Sequence, residues 1–449
     1  MTMALARGLP RHGGGDHAVA DDPGLAAAVP IRTDLAARLF VHAGFIGAIV
    51  LQRFCLYVGG GAFFLAQILF MAAIAAMVLT GRARVRPVVS LLLAGFAALA
   101  LVSTFVAVNM PDPRITFSIG SMLVLLLLYA LLAVGPDARF DGTRTFAIFV
   151  GYVRLCAVLG IAQYVLQFAG LRFFSFMQMA PALKPVLLEQ LYNHQPWVSY
   201  GSSIMRSNGF FLVEPSVFSQ LLVLAALVDI FVRRSWWALP LYVVAHLLSY
   251  SGTGLLALAV TLPILALADT RSSGRILALV AGLAVVGVIG AIALPDQVAA
   301  IAGRADELQY SGSSGYARYV APFHVIGAVW GETRTLIGYG PGAMERASFF
   351  MAGSGNALLK LFIDYGLLGL IGFVTFLIAS VWRRDLAIVS VYGLVNFQLG
   401  GGFLLFPPFV VIMAILCIWS SPADTARVGE EADDAAERAD GGSQARGRA

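Results

Sequence analysis

The segment Arg206-Ser-Asn-Gly209-Phe-Phe-Leu-Val-Glu214-Pro215-Ser216 gathers residues that could bind an anion and move a proton. Proline is best tolerated in the first turn of a helix, so a helix is predicted to begin near Pro215. Glu214 then stands at its mouth, beside the positive end of the helix dipole. Arg206 is a candidate anion ligand and Glu214 a candidate base. The competing reading is an arginine that only snorkels and a glutamate that only caps.

Two further groups have chemical potential. Asn356, Lys360 and Asp364 are spaced i, i+4, i+8, which predicts one polar stripe about 12 Å long on a helix face. Charges within an apolar run are costly and usually face a cavity; the alternative is a Lys360–Asp364 pair buried against a neighbouring helix. Gly366-Leu-Leu-Gly369, just beyond, would let another helix approach closely. The other group is Arg304, Tyr316, Arg318, His324 and Arg334, followed by Gly338-Tyr-Gly-Pro-Gly342. So many glycines with a proline predict a tight turn whose backbone N–H groups are free for an anion or a sugar hydroxyl, against an ordinary surface turn. His324 is a weaker candidate base, since a lone histidine is more often structural. Arg53, Arg154 and His246 lie inside apolar runs, and the Ser/Gly/Thr cluster at 249–254 suits close hairpin packing as well as function. Cys55, Cys156 and Cys417 show no CxxC spacing, so neither a disulfide nor a zinc site is expected.

The elements that must position these residues follow from composition. The 449 residues are 59% hydrophobic and 12% charged, against about a quarter charged in a soluble domain. The chain is therefore read as an all-α polytopic membrane protein. Its apolar runs lack the alternation of barrel strands. About twelve spans can be laid out, at 38–57, 61–80, 88–107, 116–134, 146–168, 212–232, 237–250, 253–269, 276–295, 356–380, 386–401 and 403–419. Arg82, Arg84 and Arg86, then Arg139 and Arg144, Arg233 and Arg234, Arg271 and Arg275, and Arg383 and Arg384 fall in successive even-to-odd loops. This asymmetry predicts cytoplasmic termini. The long loops around 169–211 and 296–355 then face the periplasm, with Arg206, Ser207 and Asn208 hanging at the outer surface. Short amphipathic pieces in these loops, 184–192 and 316–330, could lie along that interface. Residues 1–35 read as a disordered cytoplasmic extension, 36–420 as the membrane bundle and 421–449 as a disordered tail. The net charge of +5, with its positives in short loops, is a topology signal and not a nucleic-acid footprint.

Arginines and a small base at the outer face of such a bundle suit group transfer from a lipid-linked diphosphate, because guanidinium forks match phosphate oxygens bidentately. The sequence resembles the O-antigen ligase and Wzy-type polysaccharide polymerase superfamily of bacterial inner membranes. The resemblance rests on the span layout and large second loop, the 206–215 segment, Leu248-Ser-Tyr-Ser-Gly-Thr-Gly-Leu-Leu-Ala-Leu258, the 338–342 turn and the run from Asn356 to Gly369. Ligases of this group carry His-Asn/Ser, nine residues, then Gly-x-x-Gly. Here Gly355-Asn356 keeps the spacing but has glycine where the histidine belongs, which favours a polymerase. The resemblance implies a GT-C-like bundle and a glycosyltransferase that inverts the anomeric centre without metal or cofactor. A growing glycan on undecaprenyl diphosphate would pass to the hydroxyl of a newly flipped repeat unit. Partners are then the lipid-linked oligosaccharide and the bilayer, with a chain-length regulator and a flippase as further candidates, and no nucleic acid. Arg206 and Arg318 are the candidate diphosphate ligands and Glu214 the candidate base. Tyr316, Gly338, Gly340, Asn356, Lys360 and Asp364 are the candidate substrate-binding residues, and no metal ligands are assigned. A ligase acting on lipid A core or protein, and a lipid-linked oligosaccharide flippase, are the alternatives; the flippase would be expected to show an internal repeat of its spans, which is not seen.

Overall fold

The structure, a computed structural model, describes residues 35–420 apart from 59–60, 112–114, 175–178, 189–196, 199–201, 269–272, 294, 296–302, 304–308, 312, 348–355 and 400–402. The expected extension, except Leu35, the expected tail and Arg304 lie outside the described residues. In chain order the elements are α1 (Leu35–Phe45), prolonged by a π-helical turn (Ile46–Val50), β1 (Cys55–Val58), β2 (Gly61–Phe64), α2 (Leu65–Leu79) and β3 (Ala83–Val85). Then come α3 (Pro87–Asn109), α4 (Ile119–Ala130), β4 (Val134–Pro136), α5 (Thr145–Leu166) and α6 (Pro215–Leu227), the last continued by a π-helical turn (Val228–Val232). The chain goes on through α7 (Leu239–Ser249), α8 (Thr253–Ala268), α9 (Ser273–Ala293), α10 (Ser314–Tyr319), α11 (Ala321–Val329), α12 (Arg334–Ile337), α13 (Ala357–Val381), α14 (Ala387–Leu399) and α15 (Pro407–Cys417).

A helix occupies every apolar run, so the all-α polytopic reading holds for the architecture. Among the described residues, α3, α5, α6 with its π-helical turn, α9 and α13 are long and apolar enough to cross a bilayer alone. The other apolar helices are shorter; α7, with 11 residues, rises only about 16 Å. The outward faces are oily: Leu91 is 73% exposed and Phe105 67%. In water such faces would drive association, whereas in a bilayer they meet their own solvent.

The first expected span is cut short. Its helix ends at Val50, and β1 and β2 pair antiparallel from Cys55↔Phe64 to Val58↔Gly61. Apolar residues on either side of Gly59-Gly60 carry a hairpin signal that hydropathy alone hides. A second small ladder pairs β3 with β4.

The interior centres on α6, buried along nearly its whole length and packed against α5, α7, α8 and α14. Pro215 opens it at the first helical position, and Glu214 is the extended residue before it, as predicted from the sequence. On the other side α13 packs along α3. Phe96 of α3 meets Tyr365 and Phe373 edge-on at 5.4 and 5.1 Å, and Tyr129 of α4 meets Phe373 at 4.7 Å. These are the favoured offsets for aromatic quadrupoles.

Candidate active site

Most of the polar residues singled out above fall into two groups. The first surrounds the chain that leads into α6. Ser207 and Asn208 do not hang at a surface: they are 0% and 1% exposed, folded inward against α5. Gln163 of α5 donates to the Asn208 side-chain oxygen at 2.9 Å and to the Phe173 carbonyl at 2.7 Å, and it accepts from the Asn208 backbone N–H at 3.1 Å. Ser207 donates to the carbonyl of Gly160 at 2.9 Å. One turn further, just past the end of α5, Gln167 accepts from the Met205 N–H at 2.9 Å and donates to its carbonyl at 3.2 Å. From the opposite side Gln52 accepts the Val213 N–H at 2.9 Å, and the Arg53 guanidinium donates to the carbonyls of Phe211 and Leu212. Irregular backbone within a membrane protein must be satisfied by protein rather than by lipid. This explains why three glutamines and an arginine are buried around one short segment.

Gly209 has φ +70°, and a Cβ there would lie 2.7 Å from the Phe218 ring. The reversal at this residue therefore lets the segment turn over α6 and deliver Glu214 to its mouth. Ser216 donates to the Glu214 carboxylate at 2.8 Å. Arg206 is half-buried between Met205 and Ser207, both of which are bonded to α5 or α7. The 249–254 cluster takes its packing reading here: Ser219 of α6 accepts the Gly254 N–H at 2.9 Å and donates to the Ser251 carbonyl at 3.2 Å.

The second group is built on α13. Asn356 caps this helix, accepting the Leu359 N–H at 3.0 Å, while its amide donates to the carbonyl of Arg318 at 3.1 Å. Lys360 pairs with Asp364 at 2.7 Å on one helix face, as the spacing predicted. Asp364, wholly buried, also accepts the Gly342 N–H at 2.9 Å and the Met344 N–H at 3.0 Å. The amides of Gly338, Tyr339 and Gly340 are bonded to the carbonyls of Arg334, Ile363 and Asp364. The expectation that this turn offers free N–H groups is corrected: the anion it holds is the protein's own Asp364.

Gly366-Leu-Leu-Gly369 also has a different role from the one expected. Gly366 adopts φ +68° and breaks α13, and a Cβ on it would lie 2.4 Å from the backbone of Leu336 and Ile337. The segment that comes close is thus the 336–338 turn and not another long helix. Gly338, at φ +93°, reciprocates: its Cβ would lie 2.5 Å from the Asp364 carbonyl.

Lys360 reaches a second carboxylate that the sequence reading overlooked. Its ammonium lies 2.7 Å from one oxygen of Glu345 and 2.8 Å from the other, and the Glu345 side chain is 46% exposed. One lysine between two carboxylates leaves a net negative charge, carried toward solvent by Glu345. Tyr316 stacks on His324 with ring centres 6.3 Å apart. Burial pushes the neighbouring Tyr319 phenol above its ordinary pKa, opposed by the charge of Arg318.

A family model for the WcaD colanic acid polymerase family matches residues 45–418, spanning both polar groups and the helices that carry them. The chain belongs to this family. It is accordingly a multi-pass membrane protein of a polysaccharide polymerase family, and the resemblance drawn from the motifs holds. No curated protein and no solved structure matches the chain significantly.

Sequence reasoning missed Gln52, Gln163, Gln167 and Glu345. The glutamines were visible as uncharged polar residues in apolar runs, and Gln163 and Gln167, spaced i, i+4 at the end of α5, mark one face. Glu345 carried no signal, because its role depends on a lysine from another element.

Proposed function

We propose that the protein joins undecaprenyl-diphosphate-linked repeat units into O-antigen, capsule or exopolysaccharide at the periplasmic face of the inner membrane. The observation that carries this reading is the family match over residues 45–418, which encloses the two internally braced polar groups described above. About twelve spans with cytoplasmic termini would put both groups on the periplasmic side.

In the proposed reaction, the acceptor hydroxyl attacks the anomeric carbon of the donor from the face opposite the diphosphate. Its proton passes to a carboxylate, for which Glu214 is the candidate. The carbon–oxygen bond to the diphosphate breaks, and undecaprenyl diphosphate departs with the electron pair. Arg206 and Arg318 neutralise the charge growing on this leaving group without a metal or other cofactor. Tyr316 is available for sugar contacts. Gly338, Gly340, Asn356, Lys360 and Asp364 shape the wall instead, since their hydrogen bonds are internal. A chain-length regulator and a flippase would be its natural partners.

The test is reconstitution of the purified protein with lipid-linked repeat units, followed by electrophoresis of the glycan. A ladder of lengths is expected. Transfer of single units to another acceptor class, without a ladder, would indicate a ligase.

A further inference from the structure

A third polar group lies in the π-helical turn that continues α6, about 22 Å from Glu214 by helix rise. Asp229, fully buried, accepts from Arg154 at 2.8 Å, Arg233 at 2.6 Å and the Tyr242 hydroxyl at 2.8 Å. Arg154 also donates through Nε to Tyr242 at 3.1 Å and lies over Trp237, 4.3 Å from the ring centre. Two guanidiniums face one carboxylate, and the exposed Arg234 adjoins them, so the group carries excess positive charge. The side chains of Arg154 and Arg233 remain 18% and 25% exposed. Of five N–H donors on each, Arg154 uses two and Arg233 one among the described residues.

Next to this group lies a cavity of about 640 Å³ between α6, α7, α8 and α9, lined by side chains such as Leu222, Leu258 and Leu283. Trp236 lines it too, three residues from Arg233, and is half-exposed. Tyr242 joins the two features: it lines the cavity, while its hydroxyl is bonded to Asp229. A cationic cluster continuous with an apolar cavity is complementary to an amphiphile with an anionic head and a long chain.

We propose that this is a binding site for an anionic glycerophospholipid of the leaflet opposite the Glu214 end. Its phosphate takes the remaining donors of Arg154 and Arg233, and an acyl chain fills the cavity. Charge decides the class. A phosphate with one net negative charge offsets the excess guanidinium through charge-assisted bonds, whereas a zwitterionic head would bring an ammonium toward the arginines. The distance along α6 separates this site from the Glu214 group.

Native mass spectrometry of the full-length protein in mild detergent tests the assignment. Wild type should retain a glycerophospholipid enriched in anionic over zwitterionic heads. Arg233→Gln should weaken retention about tenfold, the loss of one charge-assisted bond, and Arg233→Lys should weaken it less. Gly282→Phe supplies an independent variant away from Asp229, because Gly282 lines the cavity and a Cβ there meets no atom within 4 Å. It should displace the lipid while leaving the polar group intact. The proposal is overturned by absence of a retained lipid, by zwitterionic preference, by a retained mass corresponding to a polyprenyl phosphate, or by unchanged retention in Gly282→Phe and Arg233→Gln.

Discussion

Lys360 and Asp364 form a buried ion pair across one turn of α13, with the ammonium 2.7 Å from the carboxylate. The same carboxylate holds the N–H groups of Gly342 and Met344. The pair therefore does more than cancel charge inside a helix: it ties the 338–346 turn to α13.

Replacing Asp364 with Leu leaves two buried amides without their acceptor and leaves Lys360 with the Glu345 carboxylate in place of two. The double change Lys360→Leu and Asp364→Leu removes the charges but leaves both amides orphaned, at about 1–3 kcal/mol each. Neither variant should regain wild-type abundance, measured by immunoblot of membranes beside thermal unfolding in detergent. Full recovery in the double variant would mean that the carboxylate only balances the lysine.

Gly366→Ala should be more damaging than Gly282→Ala. A Cβ at Gly366 would sit 2.4 Å from backbone atoms at a positive φ, whereas at Gly282 it meets open space. Membrane abundance of the two variants gives the comparison, and equal levels would contradict the packing of the 336–338 turn.

Gln163→Leu removes an acceptor and a donor from Asn208 without touching Arg206. The segment before α6 should loosen, and the glycan ladder should shorten at normal protein level. Limited proteolysis near Ser203, which is exposed, should accelerate.

Arg206→Ala and Arg318→Ala should each reduce polymer formation about a hundredfold, the usual effect of losing one donor to charge that grows in a transition state. Lysine at either position should rescue only in part, since an ammonium lacks the planar fork. Normal ladder lengths in both alanine variants, read from lipid-linked glycan, would remove the arginines from the reaction.

Single cysteines at Ser203 and Ser311 should react with a membrane-impermeant thiol reagent in intact spheroplasts. The native Cys55, Cys156 and Cys417 are buried and should contribute little background. Labelling only after permeabilisation would reverse the proposed topology.

Composition and hydropathy made the helical membrane architecture legible, because a bilayer demands long apolar runs whatever their packing. Proline at a first helical position marked the start of α6, and i, i+4 spacing placed Lys360 beside Asp364, since both follow from local helix geometry. The motif order also pointed to the family. Which partner each polar group takes was decided only by tertiary structure. Gln163, Asn208, Glu345 and the 338–344 amides find their partners across long stretches of chain, and sequence spacing carries no such information. The turn that seemed open to a ligand is closed by Asp364, because a buried N–H must be satisfied, and the fold supplied a carboxylate at that point.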